Sequence, residues 1–217
     1  MNLLKKEREV VELKISLNLV FQSPYHSTSD RVSLEADKVL FKEDEYIIIP
    51  ATLLKGNLRY QIEMALKAFG VDVCSSRNPE SMCGKCIICK TFGSPRNKSR
   101  LFFNDVRLKV EKNQIQKRFG VGIYRKAKIV KEANLFSTEI IFFDKKAFAE
   151  IKGFLNSSSE AIKIASLFFL GMKLAFSIGA EKSRGLGWFK CEKIEAFVDG
   201  QPIKQNEIEE KIRELMP

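Results

Sequence analysis

The sequence lacks several features that mark other classes of protein. It has one histidine in 217 residues, no apolar run long enough to cross a membrane, and no Pro- or Gly-rich linker that would separate domains. The most apolar stretch, residues 162–178, is interrupted by lysines and serines and predicts a buried helix. The first residues are charged where a signal peptide needs an apolar core. We therefore expect one cytoplasmic domain over residues 1–217, with no membrane partner.

Acidic residues are outnumbered by basic ones. Lys and Arg total 37 and Asp and Glu total 27, so the net charge is +10. An excess of this size favours a polyanionic partner, and nucleic acid fits better than an anionic membrane surface. The alternative is that the excess only aids solubility.

The hydrophobic pattern predicts strands and two long helices. Apolar residues alternate over residues 11–21, and further strands are expected near 46–50, 101–110, 134–143 and 187–198. Apolar residues recur every three or four positions over 52–69 and 157–177, as in amphipathic helices. This order predicts an α+β fold of ferredoxin-like type, with two helices on one antiparallel sheet. Two insertions are expected, a cysteine-rich one at about 71–99 and a basic one at about 111–134.

Four of the five cysteines lie in the first insertion. Cys83, Cys86 and Cys89 form a C-x2-C-x2-C run, and Cys74 precedes them. Clustered thiolates with a fourth ligand are typical of a closed structural zinc site. His26 can replace Cys74 as that ligand. An iron–sulfur cluster needs similar thiolates, and buried small hydrophobic cysteines are the plainer alternative.

A glycine-rich loop follows the second long helix. Glycines allow a phosphate to approach the backbone N–H groups, and basic and hydroxyl side chains add donors. The alternative is a tight connection from helix to strand. The residues predicted to contact an RNA backbone here are Gly179, Lys182, Ser183, Arg184, Gly185 and Gly187.

The second insertion carries a local excess of basic residues between Lys117 and Lys131, with Phe119 and Tyr124 interleaved. Cations alternating with aromatic rings suit single-stranded RNA, because rings stack on bases and cations meet phosphates. We expect Arg118, Tyr124 and Arg125 to bind RNA. An ordinary surface hairpin is the alternative.

Three motifs together resemble the RAMP superfamily of CRISPR-associated proteins, and within it the repeated backbone subunits of type III (Csm- and Cmr-like) effector complexes. The first is I-P-x-x-x-L-K-G-x-x-R, at residues 49–59. The second is the cysteine cluster followed by Phe92-Gly93 and a strand opening at 99–103. The third is the S-R-G-x-G loop at 183–187.

The resemblance implies a modified RNA-recognition-motif core with the basic insertion acting as a thumb. Copies of such subunits associate along a guide crRNA beside other effector subunits, and the thumb separates guide from target RNA. Lys55, Arg59 and the glycine-rich loop would hold the guide backbone, and His26 matches a histidine found after the first strand in the family.

Some family members also cut the bound target RNA with an acidic residue and a divalent metal. The loop before the I-P motif offers Asp30, Glu35 and Asp37, and Asp37 best matches the family position, with Asp30 as the alternative. Magnesium or manganese would be the cofactor. The plainer interpretation of Asp37 is a turn residue or an exposed charge. The chain departs from the family pattern by having Ser27-Thr28-Ser29 in place of glycines.

Two other functions stand beside the guide-binding subunit. One is an endonuclease that processes CRISPR repeat RNA, whose chemistry usually needs a histidine or an equivalent acid–base group. The other is a zinc-stabilised structural protein that binds RNA without a guide.

Overall fold

The central element of the fold is a long strand whose alternating residues are fully buried. The computed structural model describes residues 10–31, 33–34, 36–143 and 146–215. Strand β1 (Val11–Phe21) directs Leu13, Ile15, Leu17 and Leu19 into the core, and each is 0% exposed. The residues between them lie on the other face. This alternation confirms the predicted first strand and places the core on one side of the sheet.

Strand β1 lies inside a five-stranded antiparallel sheet. Its neighbours are β8 (Ala147–Leu155) and β9 (Phe189–Val198), while β4 (Leu101–Phe103) pairs with β8 and β10 (Gln201–Pro202) pairs with β9. Two helices connect these strands, α1 (Ala51–Ala68) between β1 and β4 and α3 (Ser158–Leu174) between β8 and β9. The order β9-β1-β8-β4 is that of a ferredoxin-like sheet, which agrees with the predicted α+β class.

Both long helices pack on the buried face of the sheet. Ser157 caps α3, because its Oγ accepts from the backbone N–H of Glu160 at 3.2 Å. The helices approach closely at Gly171, where a Cβ would lie 2.5 Å from Cγ1 of Ile62. A short C-terminal helix, α4 (Gln205–Leu215), covers α3 and buries Ile208. Within the described ranges, no helix combines the length and apolar character needed to cross a membrane.

The segment between β1 and α1 forms a small second sheet. Strand β3 (Tyr46–Ile49) pairs with β2 (Lys42–Glu43) and with β5 (Val106–Lys109). The single strand predicted over 101–110 is therefore wrong. It breaks at Asn104 and Asp105, and β4 and β5 join different sheets. The carboxylate of Asp105 accepts from the backbone N–H of Ala51 at 2.7 Å, which ties this break to the start of α1.

The basic insertion is a long antiparallel hairpin of β6 (Ile115–Tyr124) and β7 (Ile129–Ile141). The sequence predicted only residues 134–143 as a strand and placed it in the core sheet. The core position belongs instead to β8, which was not predicted. Residues of the outer half of the hairpin are exposed on both strands, including Phe119, Val121 and Leu135.

The cysteine-rich insertion lies between α1 and β4. It contains a short helix, α2 (Ile87–Phe92), and is otherwise irregular. Phe92 anchors it to the core, because its ring stacks 5.5 Å from the ring of Phe168 on α3 and 6.3 Å from that of Phe103. Ile88 is fully buried beside it, and Glu63 of α1 accepts from Ser76, so the insertion is tied to the core at several points.

Candidate RNA-binding cleft and metal centre

The glycine-rich loop is fastened to the segment that follows β1. The N–H of Gly187 donates to the carbonyl of Pro24 at 2.7 Å, and the N–H of Ala180 donates to that of His26 at 2.8 Å. A Cβ at Gly187 would lie 1.8 Å from the carbonyl oxygen of Ile178, so this glycine is required for close packing. Two residues earlier, Gly185 faces open space at φ +84°. The glycines therefore divide into a buried structural end of the loop and an open tip.

The tip of the loop presents its polar side chains to solvent. Lys182, Ser183 and Arg184 form one short 3-10 turn, and all three are exposed. Among the described residues, no carboxylate lies within ion-pair distance of Lys182. An exposed basic turn beside an unobstructed glycine is a surface that a phosphate group can approach.

Glu181 organises the cations around this tip. Its carboxylate accepts from the ammonium of Lys38 and lies 3.5 Å from the guanidinium of Arg184. Burial opposes ionisation of Glu181, but the Lys38 hydrogen bond and the two positive charges outweigh it and lower the pKa of Glu181. The carboxylate therefore stays charged and holds both cations beside the loop.

The base of the β6–β7 hairpin meets the loop at an aromatic ring. Lys38 Nζ and Arg184 Cζ lie 5.4 and 5.5 Å from the ring centroid of Phe136, within the range of cation–π contacts. Arg118 of β6 donates to the carbonyl of Arg184 at 3.0 Å. Gly120 lies across from Phe136, and its missing side chain leaves room for the ring.

Loop and hairpin together enclose a cleft of about 270 Å³. Three cations and two aromatic rings lie on or beside this cleft, and Glu181 is the one carboxylate among its lining residues. Positive charge beside a ring is the combination that single-stranded RNA needs for its phosphates and bases. The residues that line the cleft are Arg118, Phe119, Gly120, Val121, Phe136, Thr138, Glu181 and Arg184. We refer to it as the loop–hairpin cleft.

His26 lies beneath the cleft and not on its surface. Its side chain is 0% exposed. Nδ1 lies 2.6 Å from the carbonyl of Glu139, so Nδ1 carries the proton, and Nε2 accepts from the hydroxyl of Thr28 at 3.0 Å. Burial lowers the pKa of His26 and the bond to the Glu139 carbonyl opposes this only in part. The structure thus gives His26 a supporting position under the loop, with both ring nitrogens engaged.

Asp37 is exposed and is attached to strand β7 of the hairpin. Its Oδ2 accepts from the N–H of Ser137 at 2.6 Å and from the Ser137 hydroxyl at 3.0 Å. These hydrogen bonds lower the pKa of Asp37, which keeps the carboxylate ionised. Asp30 is also exposed but belongs to the irregular part of the segment, and Glu35 lies outside the described residues. Of the two acids that the structure describes, Asp37 is the one attached to the hairpin.

The four cysteines of the insertion converge on one point. The sulfurs of Cys74, Cys83, Cys86 and Cys89 all lie within 4.8 Å of one another. Cys74 Sγ is 3.6 Å from Cys86 Sγ and 3.4 Å from Cys89 Sγ. Zn–S bonds of about 2.3 Å in a tetrahedron separate the sulfurs by about 3.8 Å, so the geometry fits a zinc ion. Cys74 fills the fourth position, and the alternative with His26 is wrong because His26 is not in the cluster.

The thiols of the cluster differ in their pKa values. Burial raises the pKa of Cys74 to about 12, while the N–H groups of Cys86 and Lys85 lower the pKa of Cys83 to about 6. Burial also raises the pKa of Cys89. A metal cation is what makes four adjacent thiolates compatible with a partly buried site. The cluster is therefore suited to a metal such as zinc, with all four positions taken by protein ligands and none left open for a reaction.

The remaining predicted RNA-binding residues lie away from the loop–hairpin cleft. Lys55 is half-buried with its ammonium 5.7 Å above the ring of Phe103. Burial, and then the charge of Arg59, lower the pKa of Lys55. The contacts of Arg59 run to the cysteine-rich insertion. Tyr124 and Arg125 lie at the far end of the hairpin, where Lys131 Nζ lies 5.9 Å from the centroid of the Tyr124 ring.

Among the residues that sequence reasoning missed are Phe136, which lines the cleft, and Lys38, which lies over its ring. Neither belongs to a recognisable motif. The only signal was the pair Gly120 and Gly122 in a predicted basic segment, since glycines in a strand leave room for a large residue opposite. Which residue lies opposite depends on a hairpin register that the sequence does not reveal.

Comparison with known proteins agrees with this geometry. The family model of the RAMP superfamily matches residues 18–190, which includes the end of β1, the cysteine-rich insertion, the hairpin and the glycine-rich loop. No curated protein sequence matches the chain significantly. RAMP proteins are CRISPR-associated and bind CRISPR RNA and effector subunits. Because the match covers most of the chain, the protein belongs to the RAMP superfamily.

Proposed function

We propose that this protein is a backbone subunit of a type III CRISPR effector complex, and that it binds the guide crRNA in the loop–hairpin cleft. The observation that carries this proposal is the meeting of the basic glycine-rich turn with Arg118 and Phe136. In this arrangement Lys182 and Arg184 pair with consecutive phosphates, and the open backbone at Gly185 allows the strand to pass closely.

The hairpin supports a role as a thumb. Beyond the cleft it presents exposed apolar residues, among them Ile123, Val130 and Leu135, and basic residues at its tip. A two-stranded hairpin with this much exposed apolar surface is only marginally stable alone, so it suits contact with RNA and with a neighbouring copy. We propose that it separates guide from target RNA where copies associate along the crRNA.

The buried histidine favours this function over processing of repeat RNA. A processing endonuclease needs an acid–base group at the scissile bond. His26 is the only histidine in the chain, and it is enclosed with both nitrogens hydrogen-bonded. A backbone subunit needs no such group. Zinc in this proposal is structural, and any cleavage of target RNA would use magnesium or manganese at Asp37.

The test is the salt dependence of binding to single-stranded guide RNA. Lys182→Ala/Arg184→Ala removes two phosphate contacts, so Kd should rise at least about tenfold. The log–log slope against salt should fall by about 0.7 for each contact, or about 1.4 in total. The control Lys204→Ala/Lys211→Ala removes the same charge from the region of α4 and should keep the wild-type slope.

RNA identity provides the second part of the test. Sequencing of RNA that co-purifies with the protein from cells with an active CRISPR array should return guides with a common repeat-derived end and different spacers. An unchanged slope in the loop variant would show that the cleft does not hold RNA. Co-purification of unrelated cellular RNA would favour a zinc-stabilised RNA-binding protein without a guide.

A further inference from the structure

Arg59 directs its guanidinium into the cysteine-rich insertion. Nη1 donates to the carbonyl of Gly93 at 2.8 Å, and Nη2 donates to the sulfur of Met82 at 3.4 Å. Nη2 also lies 3.9 Å from Sγ of Cys89, within reach of a weak N–H···S hydrogen bond. The side chain is half-buried, and Nε is buried without a hydrogen-bond partner among the described residues.

The thiolate that Arg59 faces is the one most enclosed by protein. Cys89 is 0% exposed, whereas the other three cysteines are partly exposed. The charge on Cys83 is already met by the N–H groups of Lys85 and Cys86, at 3.4 and 3.3 Å. The Arg59 guanidinium is the charged donor within hydrogen-bonding distance of Cys89 among the described side chains.

A tetrathiolate zinc site has two more negative charges than positive ones, so burying it is unfavourable unless cations and N–H groups surround it. We propose that Arg59 is a positioning residue of the metal centre, where it neutralises the Cys89 thiolate and fastens α1 to the metal-bearing insertion. Its forked guanidinium suits this task, because it spans the Gly93 carbonyl and the Cys89 sulfur at once. A lysine ammonium cannot hold both groups in the same geometry.

This position leaves Arg59 little capacity for RNA. Both Nη2 hydrogens face sulfur atoms and one Nη1 hydrogen is bonded to Gly93, so three of its five N–H donors are engaged. The expectation that Arg59 contacts a phosphate with Lys55 therefore competes with a specific structural role. The two roles differ in what they predict for metal release.

The experiment measures metal retention and needs no RNA. Protein is loaded with Zn²⁺, or with Co²⁺ whose thiolate absorption bands report a tetrahedral site, and dissociation is followed with a chromogenic chelator. Arg59→Ala should weaken metal affinity about 10- to 100-fold and accelerate release, as loss of an outer hydrogen-bond partner does in other metal sites. Arg77→Ala removes an exposed cation from the same insertion and should stay within about twofold of wild type.

A second variant covers the case in which Arg59→Ala does not fold. Arg59→Lys keeps the charge and the aliphatic stem but loses the fork, and it should also release metal faster than wild type. Release at the wild-type rate from either folded variant overturns the proposal, as does a wild-type protein that takes up neither Zn²⁺ nor Co²⁺.

With metal bound, Arg59→Ala should retain the wild-type salt slope for guide RNA, while Lys55→Ala serves as the comparison. A slope reduced by one phosphate contact together with unchanged metal release would assign Arg59 to RNA instead.

Discussion

At the residue scale, the glycine-rich loop is fastened to a buried residue, His26. The carbonyl of His26 accepts from Ala180, and its ring accepts from Thr28 while donating to the Glu139 carbonyl on β7. His26 therefore links the loop through its main chain, and Thr28 and the hairpin through its imidazole. Its neutral form is what fits this position, because burial lowers the pKa of His26 more than the nearby charges of Glu181 and Glu139 raise it.

This neutrality predicts a pH dependence of stability. The pKa of His26 is lowered in the folded protein, so the unfolded chain takes up a proton first, near pH 6.5. The stabilisation is complete above that pH and is lost as the pH falls through it. The midpoint of thermal unfolding should drop between pH 7.5 and 5.5 in the wild type. His26→Asn, which keeps a donor to Glu139, should show a smaller drop.

The comparison isolates His26, because it is the only histidine and all other groups are common to both proteins. The carboxylates with lowered pKa values, such as Asp37 and Glu181, destabilise the fold only at lower pH. Equal drops in both proteins would show that His26 does not couple protonation to folding.

Single residues also show where sequence reasoning ends. The glycine-rich loop was recognised because its residues are adjacent in the chain. The contacts that complete it are distant, since Asp37 bonds Ser137 and Lys38 bonds Glu181. Arg59 was assigned by its motif to RNA, and only the fold shows that its helix face is turned toward the cysteines. Motifs identify residue types, whereas the packing of elements decides what each residue meets.

At the element scale, the cysteine-rich insertion has few internal means of folding. Its regular structure is limited to helix α2 and a short 3-10 turn, and its buried apolar side chains are few, Ile88 and Phe92 among them. A cross-link through a metal can replace a hydrophobic core in such a segment. Its fold should therefore depend on the metal far more than the central sheet does.

The chain supplies a matched pair of variants for this dependence. Cys86→Ser removes a ligand of the cluster, whereas Cys191→Ser removes the fifth cysteine, which pairs with Leu19 in the central sheet. Elemental analysis should find about one zinc per chain in wild type and Cys191→Ser, and much less in Cys86→Ser. Limited proteolysis should cut residues 74–99 of Cys86→Ser first. A metal-free wild type with a protected insertion would contradict the proposed zinc site.

Helices and strands could be predicted from the sequence where the buried positions carry large apolar residues. In β1 the buried positions carry Leu and Ile, so the alternation was plain. Strand β8 was missed because its pattern is mixed. Besides Ile151 and Leu155 it buries small residues (Ala147, Ala149 and Gly153), and it exposes Phe148 and Phe154. Gly153 is small because Leu101 of β4 packs over it, and a Cβ there would lie 2.5 Å from the leucine Cδ2. The neighbour that requires a small residue is not visible in the sequence of β8.

At the scale of the whole molecule, the ferredoxin-like core serves as a frame for three attachments. The metal insertion follows α1, the hairpin lies between β4 and β8, and the glycine-rich loop connects α3 to β9. The hairpin and the loop meet in the cleft, and the segment after β1 closes it from below. A guide in this cleft would bring a paired target strand past Asp37, which is anchored to the hairpin by Ser137.

We propose that any cleavage of that target requires the assembled complex, because guide and target are brought together there. A metal-dependent ribonuclease needs a carboxylate to hold a divalent cation beside the scissile phosphate. Asp37 is ionised and exposed, and one of its oxygens is engaged by Ser137, so the carboxylate is fixed in place. With copies repeated along the guide, cuts would be spaced by the length of RNA that each copy covers.

The role of Asp37 in cleavage can be tested with a complex assembled on a guide and supplied with complementary target RNA and magnesium or manganese. Asp37→Asn keeps an acceptor for Ser137 but loses the negative charge that a cation needs, so periodic cleavage should fall about a hundredfold or more while target binding stays at the wild-type level. Ser137→Ala is the matched control, because it removes the hydroxyl contact and leaves the carboxylate and the N–H of Ser137 in place; it should cut at a reduced but measurable rate. Asp30→Ala should cut like the wild type. A wild-type complex that makes no cuts would make the subunit a scaffold at this position, and loss of cleavage in Asp30→Ala with normal cleavage in Asp37→Asn would move the catalytic carboxylate to Asp30.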